Sequence, residues 1–199
     1  MFPNVDMAST EDEQKGLDRR YQKSLRAAKK NKAEDTCKAF EAFAAETAIP
    51  VVARPMLEVS RVAKMDSELV ATFAGREEVS LTAGTHVIRG PKWSTIRVPA
   101  ESALYGEQNR RELHFAALSP NDEGLSNYGD CSITLREELI SHRTTVFNEN
   151  MLEFFGRHGN KYFKTGRFPP GNLTVWDDRG KLAVAKHAGE LKEKSDESD

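Results

Sequence analysis

The chain has 199 residues, 38% hydrophobic and 30% charged, with a net charge of −2. That length builds one ordinary domain, or one domain with a helical extension, with enough residues for a buried core. The charge excludes an overall basic field that would draw in nucleic acid or an anionic membrane, and leaves room only for a local basic patch.

The two cysteines, Cys37 and Cys131, stand far apart and make neither a disulfide framework nor a zinc spacing, which fits a reducing compartment. No apolar run approaches the roughly 20 residues that span a bilayer. The opening MFPNVDMASTEDEQK lacks the basic start and apolar stretch of a signal peptide. Together these read as a soluble, cytoplasmic protein.

Residues 1–48 read as an N-terminal helical arm. Ser9 or Thr10 is placed to cap a helix whose first turn holds Glu11, Asp12 and Glu13, where the macrodipole favours acids. Leu17, Tyr21, Leu25 and Ala28 then recur at spacings of three and four, a narrow apolar stripe. The end is basic, with Arg26, Lys29, Lys30 and Lys32. This is a candidate phosphate-binding patch, or simply a solvated helix end with cations at its negative pole. A second helix is expected from Asp35 or Thr36 to about Thr47, with Cys37, Phe40, Phe43 and Ala44 on one apolar face. Pro50 and Pro55 exclude helix between them and bracket a join.

Residues 49–189 read as an α+β core domain. Met56 to Val62 is ambiguous. Alternation and β-branched residues predict short strands at 68–73, 78–81, 85–88 and 94–98, separated by Gly-containing turns, so the sheet is expected to be mostly antiparallel. Further strands are expected at 113–118, 131–135, 144–147 and 173–176, with a helical turn at 136–141. Asn148 is placed to cap a short helix that turns Met151, Leu152 and Phe155 inward. Asp177 or Asp178 opens a C-terminal helix with Leu182, Val184 and Ala185 as its apolar side, and Trp176 reads as core. Residues 190–199 read as a disordered acidic tail.

The five histidines show no HxxxH or HxH pairing, and there is no CxxC, GxxxxGK[ST], GxGxxG or GxSxG, so zinc, a phosphate-cradling loop and a hydrolase serine elbow have no motif here. The glycine- and base-rich run 156–171 suits either phosphate contact or an ordinary surface loop. Cys131 follows Asp130, whose carboxylate works against a reactive thiolate, and reads as structural. The polar residues suited to holding a ligand are Arg89 at a Gly-Pro turn, His114 in an expected strand, Tyr128 at a glycine corner and Glu149 in a helix start. Arg143, beside His142, joins them as a candidate cofactor contact.

The succession HFAAL, GL, YG and then a charged strand-to-helix segment with a Glu resembles bacterial ADP-ribosyltransferase-type toxin domains and related abortive-infection proteins of phage defence. The resemblance covers the middle third to half of the chain. It implies NAD as substrate without a metal, His114 or Arg89 as the ribose contact, Tyr128 stacked on nicotinamide and Glu149 as the catalytic acid. The stretch that the resemblance covers lacks that family's Ser-Thr-Ser strand and its Glu-x-Glu or Gln-x-Glu pair. The competing expectation is a non-enzymatic module that binds a protein through the N-terminal helices, or RNA through basic segments interleaved with aromatics such as KYFK and RGPKW.

Overall fold

The computed structural model describes residues 2–64, 97–102, 105, 106, 108, 109, 112–158 and 169–191. The fold is α+β, and among the described residues the short strands pair antiparallel. The chain divides into two units: one gathers Met1–Ala48, Glu137–Asn150 and Phe168–Asp199, the other Ile49–Arg136 and Met151–Arg167. The first division falls after Ala48, where the two prolines predict a join. The later ones separate 137–150 and 168–191 from what the sequence reads as a continuous core domain. Among the described residues no helix is long and apolar enough to cross a membrane.

In the first unit, α1 (Pro3–Ala8) starts on a proline, whose missing N–H is harmless in a first turn. The long α2 (Glu11–Lys30) follows, then α3 (Glu34–Thr47). Thr10 precedes α2, but its hydroxyl donates to Met7 O and Ser9's to Val5 O, so neither side chain caps the helix. The acids of the first turn and Lys29 and Lys30 in the last match the helix dipole instead. The expected apolar stripe faces inward. Ala28, Ala33, Cys37, Val184 and Ala188 form one buried cluster, with Tyr21, Leu25, Phe40 and Leu191 packed against it. Phe43, expected on that face, is 48% exposed, and Leu191, expected in a disordered tail, is half-buried. The last helix is α7 (Arg179–His187). It crosses α3 so closely that a Cβ on Gly180 would lie 2.6 Å from Glu41 O. Thus 1–48 is no separate arm, because its helices share their core with the end of the chain.

Two short segments complete this unit. A helical turn α5 (Glu137–Ile140) leads through a 3₁₀ turn to β4 (Thr145–Phe147), which pairs with β5 (Leu173–Val175) in register Val146 to Thr174. Arg179 joins them to the helices. Its guanidinium is buried and donates to Ala45 O at the end of α3, to Trp176 O at 3.1 Å and to Glu137 Oε1 at 3.2 Å. It also lies 4.2 Å over the Trp176 ring. Trp176 Nε1 donates to the same Glu137 carboxylate at 2.6 Å, and the indole is buried as expected.

In the second unit, β1 (Ile49–Arg54) is the central strand of a three-stranded sheet ordered β2-β1-β3, with β2 Ala117–Ser119 and β3 Cys131–Thr134. Val51, Val52 and Ala53 are buried. Pro50 is tolerated because it stands at the end of the ladder to β3: its O accepts the Leu135 N–H at 2.9 Å, and only the return bond of that last pair is lost. Pro55 ends the strand, and α4 (Met56–Lys64) starts directly after it. Of the expected strand 94–98 the described part is helical: residues 97–102 form a helix with Pro99 in its first turn, fixed by Arg97 Nε to Glu101 Oε1 at 2.5 Å. The expected strand 113–118 shrinks to β2. The strands expected at 68–73, 78–81 and 85–88, with their turns, lie outside the described residues. The helix expected from Asn148 begins later, as α6 (Met151–His158) with Met151, Phe154 and Phe155 buried. Asn148 is used elsewhere: its N–H donates to Asn172 O and its Oδ1 accepts from Arg20.

The turn before β5 locks onto α2 by backbone contact. Gly171 has φ +84, and a Cβ there would strike the Gly16 backbone, while one on Gly16 would lie 2.6 Å from Gly171 N. Glu13 Oε2 accepts the Gly171 N–H at 2.6 Å and Arg20 donates to Gly171 O. Gly171→Ala is expected to destabilise the first unit by about 2–4 kcal/mol, from positive φ and overpacking together. Gly16→Ala acts on the same contact, so the double variant should lose less than the sum of the singles. Urea unfolding of the four proteins measures both.

Burial raises the Glu13 carboxyl above its ordinary value near 4.5. The Gly171 N–H opposes the rise, Asp12 adds to it and Arg20 opposes it. A raised carboxylate binds more protons folded than unfolded, so this group's stabilisation is complete below pH 4.5 and is lost as pH climbs through the folded pKa. Glu13→Gln keeps an acceptor for Gly171 and removes the titration. Urea midpoints measured upward from pH 4 should fall for the wild type relative to the variant; parallel curves would contradict the assignment.

Candidate functional site

The three residues drawn together by resemblance and described here, with the further candidate Arg143, divide between the units. His114 follows no strand and is exposed, and Tyr128 ends a 3₁₀ turn, Ser126–Tyr128, half-buried; both belong to the second unit. Glu149 lies half-buried in the loop between β4 and α6, and Arg143 is exposed at the end of a 3₁₀ turn; both belong to the first. No single unit holds all four. Arg89 lies outside the described residues, as do the KYFK and RGPKW segments.

One surface within the first unit does collect charge. On α2, Asp18, Arg19, Gln22, Lys23, Arg26, Ala27 and Lys30 line an open concavity of about 550 Å³. All come from one helix, so the shape follows their own rotamers and charge is what the surface offers. Arg19, Lys23, Arg26 and Lys30 sit at intervals of four, three and four, one continuous row along the helix. With about 1.5 Å of rise per residue, the row from Arg19 to Lys30 extends about 16 Å.

All four cations are exposed, and among the described residues none is matched by an acid. The one acid of the lining, Asp18, faces Lys181 Nζ on α7 at 3.7 Å. Lys181 also reaches Asp178 at 3.4 Å, and these two acids hold its ammonium above the ordinary range against the effect of burial. Lys15, one turn before the row, is paired with Glu11 at 2.5 Å. The neighbouring charges are therefore internally compensated and the row is left net positive.

This arrangement does not serve the helix. Like charges at i,i+3 or i,i+4 cost about 0.2–0.5 kcal/mol per pair, and the row contains three such neighbours in succession. The dipole favours cations only in the final turn, which covers Lys30 and leaves Arg19 and Lys23 uncompensated. The basic helix end Arg26, Lys29, Lys30 and Lys32 overlaps this row only in part. Arg26 and Lys30 belong to the row, Lys29 lies off it, and Lys32 stands beyond the helix at φ +55. Closeness along the chain does not reveal Arg19 and Lys23 as members of the row; the helical spacing that exposes the apolar stripe does.

The face behind the row is pinned. Arg20, adjacent to Arg19 in sequence, turns the other way to hold Gly171 O and, at 3.0 Å, Asn148 Oδ1; burial lowers its pKa, with Glu13 acting in opposition. Tyr21 donates to Glu41, and burial and that carboxylate push its phenol up to about 12. Neutral at any physiological pH, Tyr21 serves as a strut between α2 and α3. Inward contacts of α2 thereby set the azimuth at which the cations face outward.

No protein-family model, curated protein or solved structure matches the chain.

Proposed function

We propose that this protein is a non-enzymatic binding module that docks single-stranded RNA along α2. The observation that carries this reading is the unmatched row Arg19, Lys23, Arg26 and Lys30 on a helix whose other face is clamped. An evenly spaced line of cations tracks a phosphate backbone without needing a pocket, and the two guanidiniums add bidentate phosphate contacts that ammonium groups lack. An acidic protein segment is the other class of partner that such a row attracts. A backbone with a charge on every residue suits its regularity better.

Four phosphate contacts to a single strand imply a slope of about −2.8 for log K against log salt. Fluorescence anisotropy with a labelled 20-nucleotide RNA across about 50–200 mM KCl should give that slope. A Gln substitution at any one of the four positions should flatten it by about 0.7. The quadruple Gln variant should lose RNA binding and keep the native circular dichroism spectrum, because these side chains are exposed. Unaltered binding by the quadruple variant would overturn the reading. Binding to an acidic polypeptide but not to RNA would move it to a protein partner. Consumption of NAD by the wild type, lost in Glu149→Gln, would replace the module by the transferase that the resemblance implies.

A further inference from the structure

Cys131 opens β3 and Met56 opens α4, and the register of the sheet places Cys131 opposite Arg54, two residues before Met56. Cys131 Sγ lies 3.7 Å from Met56 Sδ. Cys131 is half-buried, and Met56 keeps 62% of its surface exposed, so the sulfur pair is open to solvent. The backbone beneath it is constrained on both sides. Pro55 fixes the chain between strand and helix, and Gly129 packs so tightly on Arg54 and Pro55 that a Cβ would strike their backbone. The two backbone positions are therefore set side by side, and from there the Cys131 thiol donates to the thioether of the exposed Met56 side chain.

We propose that Cys131 and Met56 form a two-sulfur site for copper(I). With metal–sulfur bonds of about 2.3 Å, the 3.7 Å separation corresponds to an S–metal–S angle of about 107°. That angle suits a three- or four-coordinate ion with open positions. Thiolate and thioether donors select a soft monovalent ion. Among the described residues no group of three His, Cys, Asp or Glu stands ready for a metal. Glu58, two residues after Met56, is engaged by Arg54 at 3.2 Å, and Asp130 beside Cys131 is exposed. Binding exchanges the Cys131 thiol proton, released to solvent, for one sulfur–copper bond, and Met56 adds a second through a lone pair; copper stays in the +1 state throughout. The open positions leave the ion exchangeable, which suits transfer or sensing rather than a permanent structural centre.

The test is anaerobic titration of the reduced full chain with copper(I) held by a chromophoric chelator. The wild type should withdraw one equivalent, with sulfur scatterers alone among its protein ligands in X-ray absorption. Cys131→Ser should abolish the transfer. Met56→Leu, a change of similar size at an exposed side chain, should weaken it at least about tenfold, whereas Cys37→Ser, at a fully buried thiol, should leave it unchanged. Equal affinity in Met56→Leu would reduce the site to an ordinary thiol and overturn the pair. Transfer lost only with Cys37, or no transfer by the wild type, would overturn it as well.

Discussion

A buried guanidinium holds the first unit together. Arg179 is taken out of water at the start of α7, where an unpaired charge would cost several kcal/mol. Its partners come from three stretches of chain: Ala45 O from the N-terminal helices, Glu137 from the α5 turn, and the carbonyl and ring of Trp176 beside it. Each supplies part of what the charge needs, the buried Nε alone keeping no partner among the described residues, so segments more than a hundred residues apart are specified jointly. This is why the unit is discontinuous in sequence, and why neither 1–48 nor the C-terminal helix is an independent element.

That dependence explains what could be read from the residues and what could not. Elements whose signal is local were legible: the 3.6-residue stripe of α2, the buried face of α3 at Cys37, the short strands β3, β4 and β5, and the start of α7 near Asp178. Elements decided by tertiary contact were not. β1 holds Pro50 and stops before Pro55, so it reads as a break, yet its Val51, Val52 and Ala53 are the apolar middle of the sheet, and Pro50 gives up only the terminal bond of the ladder to β3. Residues 97–98 look like the end of a β-branched strand, yet they enter a helix because Pro99 suits a first turn and Arg97 finds Glu101 one turn on. Asn148 has the chemistry of a helix cap, but Arg20 competes for its side chain from α2.

The candidate surface follows the same division. Its residues were partly visible as a basic helix end, but the row is defined by which face of α2 is left outward. That is settled by Glu13, Gly16 and Arg20 against the turn at Gly171. Conversely, His114, Tyr128 and Glu149 are grouped by likeness and Arg143 by its sequence neighbours; His114 and Tyr128 belong to the second unit, Glu149 and Arg143 to the first.

The two faces of α2 are energetically linked. On the inward face, the contact of Gly16 with Gly171 removes any side chain from the crossing, so the backbones meet directly and leave little freedom to rotate the helix. Glu13 and Arg20 then saturate both the N–H and the carbonyl of Gly171, giving that crossing a polar register as well as a steric one. A helix fixed in this way can carry mutually repelling cations on its other side, because relieving the repulsion by unwinding the helix would break the clamp. The cations are therefore presented to solvent in a fixed line, and a polyanion that binds them removes repulsion already present in the free protein. Part of the binding energy is in this sense stored by the fold, in the inward contacts that keep Arg19, Lys23, Arg26 and Lys30 aligned.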